Sequence, residues 1–207
     1  MPSPAIHKLI KPGLFIVALV PLAWLIYRTV NNDLGANPIE TLNRYTGDWV
    51  LRFLMITLTV TPLRRLTGWN GLLRYRRMLG LFAFFYACLH FLSYVWLDQF
   101  FALSEILRDV AKRPYITVGF TSFLMLIPLA VTSTSGMIRR LGARRWQQLH
   151  RLVYFIGIGG VVHFLWLVKS DLREPLVYAA ILALLLGFRI WNSAHSSRNT
   201  VASGTVP

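Results

Sequence analysis

Six runs of apolar residues, separated by short polar segments, dominate the pattern along the chain. The runs cover residues 13–30, 48–63, 78–97, 116–133, 149–168 and 175–191. Gly, Pro and Asn mark the breaks between them. A helix of about 20 apolar residues crosses the ~30 Å hydrocarbon layer of a bilayer, and these runs have about that length. The pattern therefore predicts an all-α integral membrane protein, built as a bundle of six transmembrane helices.

The first run predicts a retained helix rather than a cleaved signal peptide. It contains Pro21 and Arg28 and is not followed by a small-residue cleavage site. Residues 1–191 then form one membrane domain. The segment 192–207 is rich in Ser, Thr and Gly, and we expect it to be a disordered cytoplasmic tail.

Composition supports the membrane assignment. Of 207 residues, 55% are hydrophobic and 14% are charged, and a soluble domain of this length could not bury so much apolar surface. The single cysteine, Cys88, lies inside an apolar run, which excludes a disulfide framework within the chain. Lipid is therefore the expected solvent.

The distribution of charge predicts the orientation. The net charge is +14, but the basic residues lie between apolar runs, so we expect no nucleic-acid partner. With a cytoplasmic N-terminus, that side of the membrane holds 14 of the 22 basic residues: Lys8, Lys11, Arg64, Arg65, Arg74, Arg76, Arg77, Arg139, Arg140, Arg144, Arg145, Arg151, Arg189 and Arg198. All eight acidic residues then fall at or beyond the opposite interface. Cytoplasmic loops collect Lys and Arg, so both termini are predicted to be cytoplasmic.

Two histidines fall at nearly the same predicted depth on neighbouring helices. His90 lies ~18 Å from the start of the third run and His163 ~21 Å from the start of the fifth, at 1.5 Å per residue. Two imidazoles so placed can occupy opposite axial positions of one haem. An interhelical hydrogen bond or simple packing is the alternative for either residue. Gly159 and Gly160 share the face of His163, where they would admit a porphyrin or form a helix-packing seam.

A third histidine leaves a second haem open. His150 precedes His163 by 13 residues, a rise of ~19.5 Å along a helix, which suits a second haem level. The residue 13 positions before His90 is Arg77, however, and not a histidine. His150 is thus either the ligand of an inner haem with an unusual partner or a residue that binds a propionate, a flavin phosphate or a quinone carbonyl.

Two basic clusters flank the same inner face, at residues 74–77 and 139–145. Orientation and lipid headgroups account for many such clusters. Alternatively, Arg76 and Arg77 anchor an anionic cofactor such as FMN, because guanidinium groups form paired hydrogen bonds with phosphate. Tryptophans near the run ends, including Trp146, are predicted to form an interfacial belt. The sequence contains no GxGxxG, Walker, GxSxG or HExxH motif.

Four segments resemble a known family. They are Arg76-Arg-Met-Leu-Gly-Leu followed by His90, Thr132-Ser-Thr-Ser-Gly-Met-Ile-Arg-Arg-Leu-Gly, Trp146-Gln-Gln-Leu-His-Arg-Leu-Val-Tyr154, and His163. Together they are similar to the MsrQ (YedZ) family, haem-binding membrane subunits of the bacterial periplasmic methionine-sulfoxide reductase system. That family lies within the ferric-reductase-like transmembrane superfamily, which includes the NADPH oxidases.

The resemblance implies an activity, cofactors and partners. It implies b-type haem, FMN in some members, and a place in the bacterial inner membrane. Electrons would come from quinone or a cytosolic flavin reductase and leave to a periplasmic molybdopterin-dependent reductase that repairs oxidised proteins. The resemblance also implies that His90, His150 and His163 are haem-associated residues. Two other functions remain open: a ferric-reductase-type carrier serving another external acceptor, and a transporter or scaffold whose intramembrane histidines serve proton coupling or packing.

Overall fold

The chain folds into a helical bundle. The computed structural model describes the backbone of residues 4–202 and the side chains of residues 10–195. The helices are α1 (Pro4–Val30), α2 (Pro38–Thr67), α3 (Leu73–Ser93), α4 (Leu103–Lys112), α5 (Pro114–Val131), α6 (Ser135–His150), α7 (Leu152–Leu167) and α8 (Arg173–Ala202). A 3₁₀ turn at Asn70–Leu72 precedes α3, and a π-helical turn at Tyr94–Asp98 follows it.

Five segments of the described chain are long and apolar enough to cross a membrane. They are Ile10–Val30, Asn70–Asp98, Pro114–Val131, Ser135–Leu167 and Arg173–His195. Large apolar side chains point away from the bundle, as Val30 and Leu184 do with about three quarters of their surface exposed. Such side chains suit contact with lipid rather than water.

The second predicted span, 48–63, is not one of these five apolar segments. It lies within α2, which also contains Asp48, Arg52, Arg64 and Arg65. The position of α2 explains why it can carry these charged residues. Helix α2 packs against α1, α3, α7 and α8, so much of its surface contacts protein. Leu54 and Leu58 on this helix are almost fully buried. The count of six spans is therefore not confirmed by the apolar segments, of which there are five.

Two closely packed helix pairs position the polar residues of the interior. Helix α2 packs along α3, and α5 packs along α7. The pairs meet where α3 contacts α5 and where α2 contacts α7. Stacked rings of Phe53, Phe82 and Tyr86 fill the space between α2 and α3. This arrangement brings the C-terminal part of α3 close to the C-terminal half of α7.

Two helices differ from the sequence prediction: α6 was not predicted as a separate helix, and α8 is longer than its predicted span. Helix α6 lies in the segment between the fourth and fifth runs and is interrupted at Gly142, where φ is 73°. Helix α8 continues to Ala202, so residues 192–202 of the predicted disordered tail are helical, and 203–207 lie outside the described residues. No Gly or Pro occurs between Asn192 and Ala202 to end the helix.

Candidate functional site

The structure brings His90 of α3 and His163 of α7 together in the bundle interior. Their ring centroids are 6.2 Å apart and the ring planes are inclined by 74°. Both side chains are half-buried. The pairing predicted from equal depth is therefore present in the fold.

Each of these imidazoles is oriented by a backbone carbonyl of a different helix. Nδ1 of His90 donates to the carbonyl oxygen of Asn43, 3.0 Å away on α2. Nδ1 of His163 donates to the carbonyl oxygen of Tyr115, 2.7 Å away on α5. Because a carbonyl oxygen only accepts, both Nδ1 atoms must carry the proton. This leaves the lone pair on Nε2, the tautomer needed to bind a metal.

Two glycines make room for these rings. A Cβ atom on Gly47 would lie 3.2 Å from Cε1 of His90, and one on Gly119 would lie 2.7 Å from Nδ1 of His163. Each imidazole thus lies directly against the backbone of the helix whose carbonyl it contacts. Any side chain at position 119 would force the His163 ring to move.

The donor set and spacing fit an iron between the two rings. An iron held by two imidazole nitrogens at about 2 Å each, with each ring centre about 1 Å further back, would separate the centroids by roughly 6 Å. The observed separation is 6.2 Å. Within residues 10–195, no hydrogen-bond partner contacts Nε2 of either histidine. The residues therefore suit two axial ligands of one haem.

His150 has a different environment. Its Nε2 lies 3.1 Å from Oγ1 of Thr132, and its ring stacks on Trp146 with centroids 3.9 Å apart. Trp146 in turn donates from Nε1 to the carbonyl of Thr132, at 2.9 Å. The ring of Trp146 thus packs on His150, and its place in an interfacial belt stays a prediction. A metal at Nε2 of His150 would have to displace Thr132.

One cavity is lined both by His150 and by the two arginines that the sequence predicts to anchor an anionic cofactor, Arg76 and Arg77. Its wall includes Arg76, Arg77, Gly80, Trp146 and His150. Nη1 of Arg77 lies 3.4 Å from Oγ of Ser135 and 3.5 Å from the carbonyl oxygen of Ser133. The structure thus brings Arg76, Arg77 and His150 to one cavity, whereas His90 and His163 form a separate pair.

Gly159 and Gly160, the glycines on the face of His163, pack closely against neighbouring helices. A Cβ on Gly159 would collide with Oγ of Ser122, and one on Gly160 would lie 3.0 Å from the side chain of Leu51. They form the packing seam of α7 with α5 and α2, the alternative left open by the sequence. Sequence reasoning missed Gly47 and Gly119, since their importance depends on contacts between helices distant in the chain.

Comparison with known proteins identifies the family. Residues 45–161 match the family described as "Ferric reductase like transmembrane component". A protein of Herminiimonas arsenicoxydans named "Protein-methionine-sulfoxide reductase heme-binding subunit MsrQ" is 55% identical over 207 residues, covering 99% of this chain and 95% of the relative. The chain belongs to the MsrQ family of ferric-reductase-like transmembrane proteins. Proteins of the same name from Polaromonas naphthalenivorans and Rhodospirillum rubrum are 52% and 55% identical, over 97% of this chain in each case and 93% and 94% of their own lengths.

Membership of the MsrQ family agrees with the apolar segments. Five apolar helices in a chain of a transmembrane family indicate a multi-pass membrane protein. The match at 45–161 includes His90 and His150 and ends two residues before His163.

Proposed function

We propose that this MsrQ-family chain is the haem-binding electron-transfer subunit of a protein-methionine-sulfoxide reductase system, with His90 and His163 as axial ligands of a b-type haem. The observation that carries the proposal is the geometry of this pair. The ring centroids of the two imidazoles are 6.2 Å apart, the spacing for an intervening iron, and each Nδ1 is held by a carbonyl. The relatives named above are called haem-binding subunits, which agrees with this donor set.

The protein residues fix the ligands in place. Haem, when bound, supplies a carrier for single electrons. The carbonyls of Asn43 and Tyr115 set the tautomer and increase the basicity of Nε2. Gly119 lets the ring of His163 lie against α5.

Electrons are proposed to enter at the arginine-rich end of the bundle. Arg76 and Arg77 line the cavity beside His150 and could bind the phosphate of FMN or an anionic surface of a donor. We propose quinone or a cytosolic flavin reductase as the donor. The acceptor would be a periplasmic molybdopterin-dependent reductase at the opposite end, where the eight acidic residues lie.

A second haem at His150 is less well supported than the first. Nε2 of His150 is hydrogen-bonded to Thr132, whereas the other two histidines use Nδ1. Among the side chains that the structure describes, Arg76 and Arg77 line its cavity but no second histidine does. We therefore propose one haem at His90 and His163, and a role for His150 in binding a flavin, a quinone or a propionate.

The proposed topology has six spans with both termini cytoplasmic, in the bacterial inner membrane. It requires α2 to cross beside the five apolar segments. Its contacts with four other helices support this, because polar residues of a central helix can be covered by protein. Segregation of the acidic residues from the arginine clusters supports the orientation.

A ferric-reductase-type carrier is the alternative, supported by the family match. Reconstitution of the reduced protein with two acceptors separates the functions. We expect rapid haem reoxidation by a periplasmic methionine-sulfoxide reductase supplied with methionine sulfoxide, and slow reoxidation by a ferric chelate. Fast reoxidation by the chelate with none by the reductase would favour the alternative. A protein without haem would favour the transporter or scaffold.

A further inference from the structure

A buried carboxylate lies at the end of the bundle where α3 ends and α5 begins. Asp109, in the last turn of α4, is 9% exposed. Burial of a carboxylate is costly unless hydrogen-bond donors and an opposite charge surround it. The partners of Asp109 come from three separate segments of the chain, at Tyr94, Gln99 and Arg113. The carboxylate therefore joins segments that the chain itself does not hold together.

One carboxylate oxygen holds the helix of His90. The hydroxyl of Tyr94 donates to Oδ2 of Asp109 at 3.3 Å, and Nε2 of Gln99 donates to the same oxygen at 3.2 Å. Tyr94 lies one helical turn after His90, and its backbone N–H donates to the carbonyl of His90. Oδ2 is thus linked to the backbone of His90 through a single residue.

The other carboxylate oxygen holds the start of α5. Nε of Arg113 lies 3.2 Å from Oδ1 of Asp109, and the backbone N–H of Arg113 donates to the Asp109 carbonyl at 2.9 Å. Arg113 is the N-cap of α5, and its carbonyl accepts from the backbone N–H groups of Ile116 and Thr117. The contacts with Asp109 therefore fix the place where α5 begins.

The first turn of α5 orients the second imidazole. Tyr115 follows Arg113 by two residues, and its carbonyl accepts from Nδ1 of His163 at 2.7 Å. Nη1 of Arg113 also lies 3.5 Å from the hydroxyl oxygen of Tyr115. A displacement of Arg113 would therefore move the carbonyl that sets the orientation of His163.

We propose that Asp109 is a positioning residue for both paired imidazoles, because it clamps the end of α3 to the start of α5. It touches neither ring and acts through Tyr94 on one side and Arg113 on the other. The ring planes of His90 and His163 are inclined by 74°, and the clamp maintains this angle. The inference rests on the proposed function, since these imidazoles are the proposed haem ligands.

The test uses the full-length protein with its haem, purified in detergent. Asp109→Ala removes both halves of the clamp, and Tyr94→Phe removes only one hydroxyl. Glu105→Gln is the matched control, because Glu105 is an exposed acidic residue one turn earlier on α4 whose ion pair lies within that helix. Electron paramagnetic resonance of the oxidised haem reports the angle between the two imidazole planes. Transfer of haem to apomyoglobin gives its release rate, and circular dichroism gives the melting temperature.

Asp109→Ala is expected to shift the low-field resonance and to release haem about tenfold faster, as when groups that orient a metal ligand are disturbed. Tyr94→Phe should shift the resonance less. Its addition to Asp109→Ala should change nothing further, because both substitutions remove the same contact. Glu105→Gln should behave like the wild type.

Several results would contradict the clamp. A wild-type resonance and release rate in Asp109→Ala would overturn it, and a lower melting temperature alone would assign Asp109 to stability. An equal shift in Glu105→Gln would also overturn it. Were Asp109→Ala not to insert, an unchanged resonance in Tyr94→Phe would be decisive against the proposal.

A measurement without haem separates this inference from the proposed function. Nitrogen NMR of histidine-labelled protein distinguishes an imidazole protonated at Nδ1 from one protonated at Nε2. In the full-length protein without haem, His163 should carry its proton on Nδ1, and Asp109→Ala should produce a mixture of the two tautomers. Absence of haem from the purified wild type would refute the proposed function. A His163 tautomer unaffected by Asp109→Ala would refute the positioning role.

Discussion

Gly119 of α5 lies directly against His163 of α7: a Cβ atom on the glycine would be 2.7 Å from Nδ1 of the imidazole. Real Cβ contacts are essentially never this short, so the ring must shift if an alanine is introduced. We predict that Gly119→Ala lowers haem affinity by at least about tenfold, the usual effect of disturbing the groups that orient a metal ligand. Haem content per protein, from the visible spectrum, measures this.

Gly187→Ala is the matched control for that substitution. Gly187 lies on α8, and nothing would be within 4 Å of its added Cβ. This variant should keep its haem and gain slightly in helix stability. Wild-type haem content in Gly119→Ala would show that the imidazole does not need its observed position.

The second prediction concerns the two paired histidines. His90→Ala and His163→Ala should each reduce haem content to below about a tenth of the wild type, because a site with two axial ligands loses its geometry when either is removed. His150→Ala should have a smaller effect, since Thr132 already contacts its Nε2. His195→Ala, at an exposed position, is the control. Full spectra in both paired variants would exclude these histidines as ligands.

The third prediction concerns topology. With both termini cytoplasmic, alkaline phosphatase fused after Pro207 should be inactive, and the same enzyme inserted in the segment 98–115 should be active. The reason is that cytoplasmic segments retain arginine clusters such as 139–145. The opposite pair of activities would reverse the orientation and the direction of electron flow.

The fourth prediction concerns the cavity beside His150. Replacing Arg76 and Arg77 by Gln should slow haem reduction by the physiological donor while dithionite still reduces the haem fully. The variant would lose positive charge at the arginine-rich end of the bundle, where electrons are proposed to enter. It would keep His90 and His163 as the proposed haem ligands. Raising the salt concentration should also slow haem reduction by the donor in the wild type, because ions screen exposed charges. A donor-dependent rate equal to the wild type at low and high salt would assign these arginines to topology and lipid contact alone.

Much of the fold and part of the site follow from the sequence. Long apolar runs predict membrane helices because lipid imposes their length and composition. Depth along two helices predicts the pairing of His90 with His163 because the helical rise is constant. The resemblance to the MsrQ family is confirmed by relatives about half identical over nearly the full chain.

Other features depend on contacts between helices distant in sequence. Gly119 matters only because α5 packs on α7. Arg189 satisfies a carbonyl on α2 that no local pattern connects with it. Helix α2 is not one of the five apolar segments, and it packs against four other helices. Such relationships require the tertiary structure.

The difference spectrum between the dithionite-reduced and oxidised protein tests the central claim most directly. If His90 and His163 hold a b-type haem, the purified wild type should show a Soret band and a sharp α band at about one haem per chain. Both bands should be lost in the variants of this pair and retained in His195→Ala. A wild-type protein that is correctly inserted but shows no haem bands would contradict the account.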